Sequence, residues 1–142
     1  MLDESLVRKL KSIVEVPIYR LIGVARGRLV YGSTAEGAYH LYALDLEKKT
    51  VARISWEPVH LYADARHESP YVVFSVDVSK GFEMCKIFAV NLDTAEVVDL
   101  FDGLQPQRII GAGFDGSRVA WTGVTKDSAG IYVADVSGGK PE

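Results

Sequence analysis

Residues 111–116 read GAGFDG, a literal G-x-G-x-x-G. In a dinucleotide-binding unit such glycines stand between a strand and a helix, where backbone N–H groups and the helix N-terminus meet a pyrophosphate. Here the next residues, SRVAWTGV at 117–124, are β-branched and aromatic and show no helical period. Without that helix the fingerprint has no phosphate seat, and Gly113 and Gly116 read as turn residues suited to positive φ. No G-x-S-x-G nucleophile elbow occurs. The histidines, His40, His60 and His67, lack the short regular spacings of a zinc site. Cys85 has no motif partner and reads as a packed thiol. Asp45, Asn91 and Asp135 recur at one register just before turns, which favours turn hydrogen bonding over a calcium site. Asp77, Lys80 and Glu83 flank the longest loop, DVSKGFEM at 77–84, which reads as a solvated hairpin tip. These residues predict no catalytic, cofactor or metal site.

What places these residues is a repeat. LYALDL (41–46), IFAVNL (87–92) and IYVADV (131–136) line up, starting 46 and 44 residues apart. Ahead of each lies an apolar run, LVYGST (29–34), VVFSVD (72–77) and VAWTGV (119–124), with Tyr31, Phe74 and Trp121 in one register. A further strand candidate precedes each: YRLIGVA (19–25), HLYADAR (60–66) and QRIIGAG (107–113). Behind the first two lie TVARI (50–54) and EVVDL (96–100). Four short strands in about 45 residues, joined by hairpin turns, are the blade of a β-propeller. The chain is therefore expected to be all-β: blade 1 at 17–57, blade 2 at 58–103, and blade 3 at 104–142 without its last strand. The second strand of each unit is apolar almost throughout, as expected where neighbouring blades cover both faces.

Residues 1–16 stand outside the repeat as an amphipathic helix. Leu2, Leu6, Leu10 and Ile13, with Val14 beside them, form one stripe at helical spacing. Asp3 or Ser5 can cap its start, and Pro17 ends it. A propeller closes without such a helix, so the stripe either lies against its own blades or meets another domain or chain.

Composition narrows the partners. The formal net charge of −3 offers no basic footprint for nucleic acid or anionic membrane. A single cysteine excludes a disulfide within the chain and suits a reducing, cytoplasmic setting. No apolar run is long enough to span a membrane. One Asn and two Gln are compatible with a thermophilic source.

The order of parts resembles the acylaminoacyl peptidases of the prolyl oligopeptidase family, especially the archaeal type. The likeness runs through VRKLKSIVEVPIYRLIGV, EPVHLYAD, VDVSKG with IFAVNL, and RIIGAGFDGSRVAWTGVTKD. It implies a helix packed on an α/β-hydrolase domain and a seven-bladed propeller that caps the active site, restricting entry to short peptides. The Ser-Asp-His triad would lie in that hydrolase domain, so none of its residues carries over. The expected role of this segment is gating rather than catalysis. Two other classes remain: a module holding a peptide or protein on its loops, or a scaffold whose copies complete one another's ring. With the helix stripe and the outer face of blade 3 bare, self-association is expected.

Overall fold

The computed structural model describes residues 3–14 and 16–142. One helix, α1 (Glu4–Val14), precedes eleven strands. Asp3 supplies the cap: its Oδ1 accepts the Ser5 N–H at 3.0 Å and its carbonyl accepts the Val7 N–H. Glu4 in the first turn and Lys11 in the last suit the helix dipole. No helix among the described residues is long and apolar enough to cross a membrane.

The strands form three antiparallel sheets. The first is β1 (Tyr19–Ala25), β2 (Arg28–Ser33), β3 (His40–Asp45) and β4 (Val51–Arg53), in that order. The second is β5 (Val59–Ala65), β6 (Tyr71–Asp77), β7 (Cys85–Asn91) and β8 (Val97–Asp99). The third is β9 (Arg108–Phe114), β10 (Arg118–Val124) and β11 (Ala129–Asp135). Each sheet is a simple meander, and the first strands β1, β5 and β9 lie side by side.

The turns explain the meander. Asp45 Oδ1 accepts the N–H groups of Glu47 and Lys48, and Asn91 Oδ1 accepts those of Asp93 and Thr94. Each turn then places one residue, Lys49 or Ala95, at positive φ before the next strand. The turn bonding expected at Asp45 and Asn91 is thus present. At Asp135 the turn closes instead through its carbonyl, which accepts the Gly138 N–H at 3.1 Å.

Two cores lie between the three sheets. Val30 and Leu41 of the first pack with Val72, Phe74 and Val76 of the second. Val73, Ile87 and Ala89, on the other side of the second sheet, pack with Val119, Trp121 and Phe114 of the third. Strand β6 is accordingly buried on both faces. Strand β10 corrects the expectation of a fully covered second strand. Val119 and Trp121 are buried while Ala120 and Thr122 are exposed, because among the described residues only one of its faces has a neighbouring sheet.

One further expectation changes. Gly113 is not a turn residue: it lies in β9 opposite Ala120, outside the positive-φ glycines, and open space surrounds the place of a Cβ. Gly116, at φ 110°, does hold the turn. The third sheet has the three strands expected, and a single residue pairs beyond β11. Glu142 and Val133 exchange both backbone hydrogen bonds, at 2.9 and 3.0 Å. Val133 matches Ala43 and Ala89 in register, so Glu142 stands where Ala52 and Val98 stand in β4 and β8.

Candidate interaction surfaces

The residues that could do chemistry are dispersed. His40 is buried at the start of β3, where its Nδ1 shares a 3.0 Å hydrogen bond with Ser55 Oγ. His60 lies in β5, and His67 lies in an exposed turn with Nδ1 3.3 Å from a Glu68 carboxylate oxygen. Among the described residues no group of three or more His, Cys, Asp or Glu side chains is arranged to hold a metal ion. Cys85 is buried beside the Ile87 and Leu100 core. Burial, with the Asp77 and Glu83 charges adding to it, pushes its thiol up to about 11. That is an inert, protonated thiol at neutral pH.

The DVSKGFEM loop is more ordered than a solvated tip. Asp77 Oδ1 accepts the Ser79 N–H at 2.8 Å and the Ser79 hydroxyl at 2.5 Å. Its Oδ2 accepts the N–H groups of Gly81 and Glu83. These bonds, the Ser79 hydroxyl foremost, hold the Asp77 carboxyl below its ordinary value. Ser79 Oγ in turn accepts the N–H groups of Phe82 and Met84. The wrapped loop displays Phe82, 77% exposed, and Arg108 reaches Glu83 at 3.2 Å from the neighbouring blade. Sequence reading placed the loop but missed this wrapping, although D-x-S-x-G is itself an Asx-turn signal.

Among the described residues three apolar surfaces are open. On α1, Leu6 and Leu10 are 45% and 49% exposed, so neither is covered by the sheets. Leu2 and the side chains of Ile13 and Val14, the rest of that stripe, lie outside the described residues. The free face of the third sheet carries Ala120, Thr122, Val133 and Ile131. The free face of the first carries Leu21, Leu29, Tyr31 and Leu44. That last face was not foreseen, because a strand's sequence does not say which of its two sides has a neighbour.

Residues 30–141 match the family described as "Acylamino-acid-releasing enzyme-like, N-terminal domain". The match takes in β3 to β11 whole and four of the six residues of β2. The chain belongs to this family. The fold is also similar to the structure of a putative TolB from Agrobacterium tumefaciens, at 16% sequence identity and a TM-score of 0.56. That likeness covers 88% of this chain and 48% of the other, so the chain spans about half the length of that protein. The three sheets are therefore blades of a partial β-propeller. Among the described residues of this acylamino-acid-releasing enzyme-like N-terminal domain, the side chains that could do chemistry are dispersed, and the open features are packing surfaces. Among the described residues, Leu6 and Leu10 of α1 and the outer faces of the first and third sheets are apolar surfaces open to a partner.

Proposed function

We propose that this chain is the leading propeller segment of an acylaminoacyl peptidase of the serine, prolyl oligopeptidase type, and that it helps to position and gate short N-acylated peptides. In this reading α1 docks on an α/β-hydrolase domain through Leu6 and Leu10, with Leu2, Ile13 and Val14 completing the contact. The observation that carries the reading is the α1 stripe, whose Leu6 and Leu10 stay open while the blades bury Phe74, Phe101 and Trp121. A stripe of that kind gains about 1.5–3 kcal/mol for each large apolar side chain it buries. The family match supports the choice of partner. The gate follows from position: blades set over a hydrolase cleft bar a folded chain and pass a short extended one.

Calorimetric titration of the chain with the α/β-hydrolase domain of an acylaminoacyl peptidase tests the docking. Saturable binding is expected, weakened at least tenfold by Leu6→Glu with Leu10→Glu. Absence of binding, or equal binding by the double variant, would contradict the proposal.

A further inference from the structure

The two blade junctions within this chain share a register but not a filling. At the second junction, Tyr71 at the start of β6 and Val98 in β8 pack against the core that includes Leu100. Tyr71 stands opposite Asn91, and Val98 opposite Ala89. In blade 1 the same places, opposite Asp45 and Ala43, belong to Arg28 and Ala52. A tyrosine and a valine thus give way to an arginine and an alanine, and the first junction holds a hollow of about 300 Å³. Ala43, Ala52 and Ile54 of blade 1 wall it on one side, and Val90, Leu92 and Val97 of blade 2 on the other. Both walls belong to this chain.

The rim of the hollow carries an excess of cations. Arg28, whose side chain is 24% exposed, reaches Asp93 Oδ1 at 2.7 Å, and Arg26 reaches Asp93 Oδ2 at 3.0 Å. Two guanidinium groups therefore share one carboxylate. Lys48 has no ion-pair partner among the described residues. Arg53 is paired with Glu36 at 2.9 Å, and Asp45 Oδ1 is taken by the Glu47 and Lys48 N–H groups. Arg26, Arg28 and Lys48 against Asp45 and Asp93 leave the rim positive, in a chain of net charge −3.

Beside the hollow runs a free strand edge. Strand β4 is the last of its sheet. The Thr50 carbonyl accepts the Asp45 N–H, and the Ile54 N–H donates to the Leu41 carbonyl. The alternation of an antiparallel ladder then turns the backbone groups of Val51 and Arg53 away from β3. An extended segment laid antiparallel on that edge meets these groups and sets one side chain beside Ala52, over the hollow. Its C-terminal direction leads to Thr50 and Lys48.

We infer that the first blade junction binds an extended peptide, with an apolar side chain in the hollow and a carboxylate two residues later at Lys48 and Arg28. The inference rests on register, rim charge and the free edge, and does not need the peptidase reading.

Fluorescence anisotropy with the labelled peptide TVTLTE tests it, with circular dichroism reporting the folding of each variant. Saturable binding is expected, weakened at least tenfold when the peptide's leucine is replaced by glycine. Lys48→Glu should weaken it about threefold or more. Arg28→Tyr with Ala52→Val, which copies the second junction, should fold and bind at least tenfold more weakly. Val51→Pro, which removes an outward N–H from an edge strand, should also weaken binding. Leu6→Glu with Leu10→Glu should bind as the parent does, which separates this site from helix docking. N-acetylleucine, which has the apolar group and the carboxylate without the extended backbone, should compete at least tenfold less well than unlabelled peptide. No saturable binding, undiminished binding by the folded Arg28→Tyr, Ala52→Val variant, or equal competition by N-acetylleucine would overturn the proposal.

Discussion

Two glycines on neighbouring strands of blade 3 carry opposite constraints. A Cβ on Gly123 would overlap Gln107 Oε1 and stand 3.3 Å from Gln107 Cβ. Gln107 cannot swing aside without loss, because it is buried and its Oε1 accepts the Trp121 indole N–H at 3.0 Å. Gly123→Ala should therefore cost about 1–3 kcal/mol in urea unfolding. Gly113→Ala meets open space and an extended backbone, so it should be neutral or stabilising by up to about 1 kcal/mol. Equal losses at the two sites would contradict this reading. The acid limb of stability has residue-scale sources too. Asp77 is held below its ordinary value by the Ser79 hydroxyl and loop N–H groups, and Asp115 is held to about 2 by the N–H groups of Ser117 and Arg118. A carboxyl depressed on folding contributes stability above its unfolded pKa of about 4, and that contribution is lost as pH falls through the folded value. The melting temperature should drop between about pH 4 and pH 2. Asp77→Asn should lower it at neutral pH and flatten the acid decline, whereas an unchanged acid slope would assign the loss elsewhere.

At the scale of the strand, the aromatic register does most to hold blade to blade. Trp121 is buried, stacked on Phe101 at 4.9 Å and on Tyr132 at 5.5 Å. Trp121→Ala should cost about 3–5 kcal/mol, read as a lower urea midpoint at similar slope. A loss under about 1 kcal/mol would mean that the second core does not depend on that ring. This register was legible in the sequence, because Tyr31, Phe74 and Trp121 recur at matching places in each unit. Strands and turns were legible for the same reason: short apolar runs alternate with Asp, Asn and Gly turns. Exposure was not. The VAWTGV and VVFSVD runs are almost equally apolar, yet β10 alternates buried and exposed where β6 is buried throughout. Which face is covered depends on the neighbouring sheet, a property no single run contains. Gly113 misled for a related reason. A glycine in a G-x-x-G string looks like a turn, but the turn needs only Gly116.

Over the whole molecule, the three blades pack on one another through two cores, and Leu6 and Leu10 of the helix take no part in either. Leu6→Glu with Leu10→Glu should then leave the thermal midpoint within about 2 °C of the parent, since neither side chain is buried. A loss of many degrees would place the stripe in the fold rather than on a partner. The surface that decides the functional account is therefore α1. Hydrogen exchange of the Glu4–Val14 amides, alone and with the α/β-hydrolase domain of an acylaminoacyl peptidase, tests that account most directly. The account expects fast exchange along α1 in the free chain, strong slowing on addition of the hydrolase domain, and little change in the central strands β2, β6 and β10. Fast α1 exchange that persists in the presence of saturating hydrolase domain would contradict it.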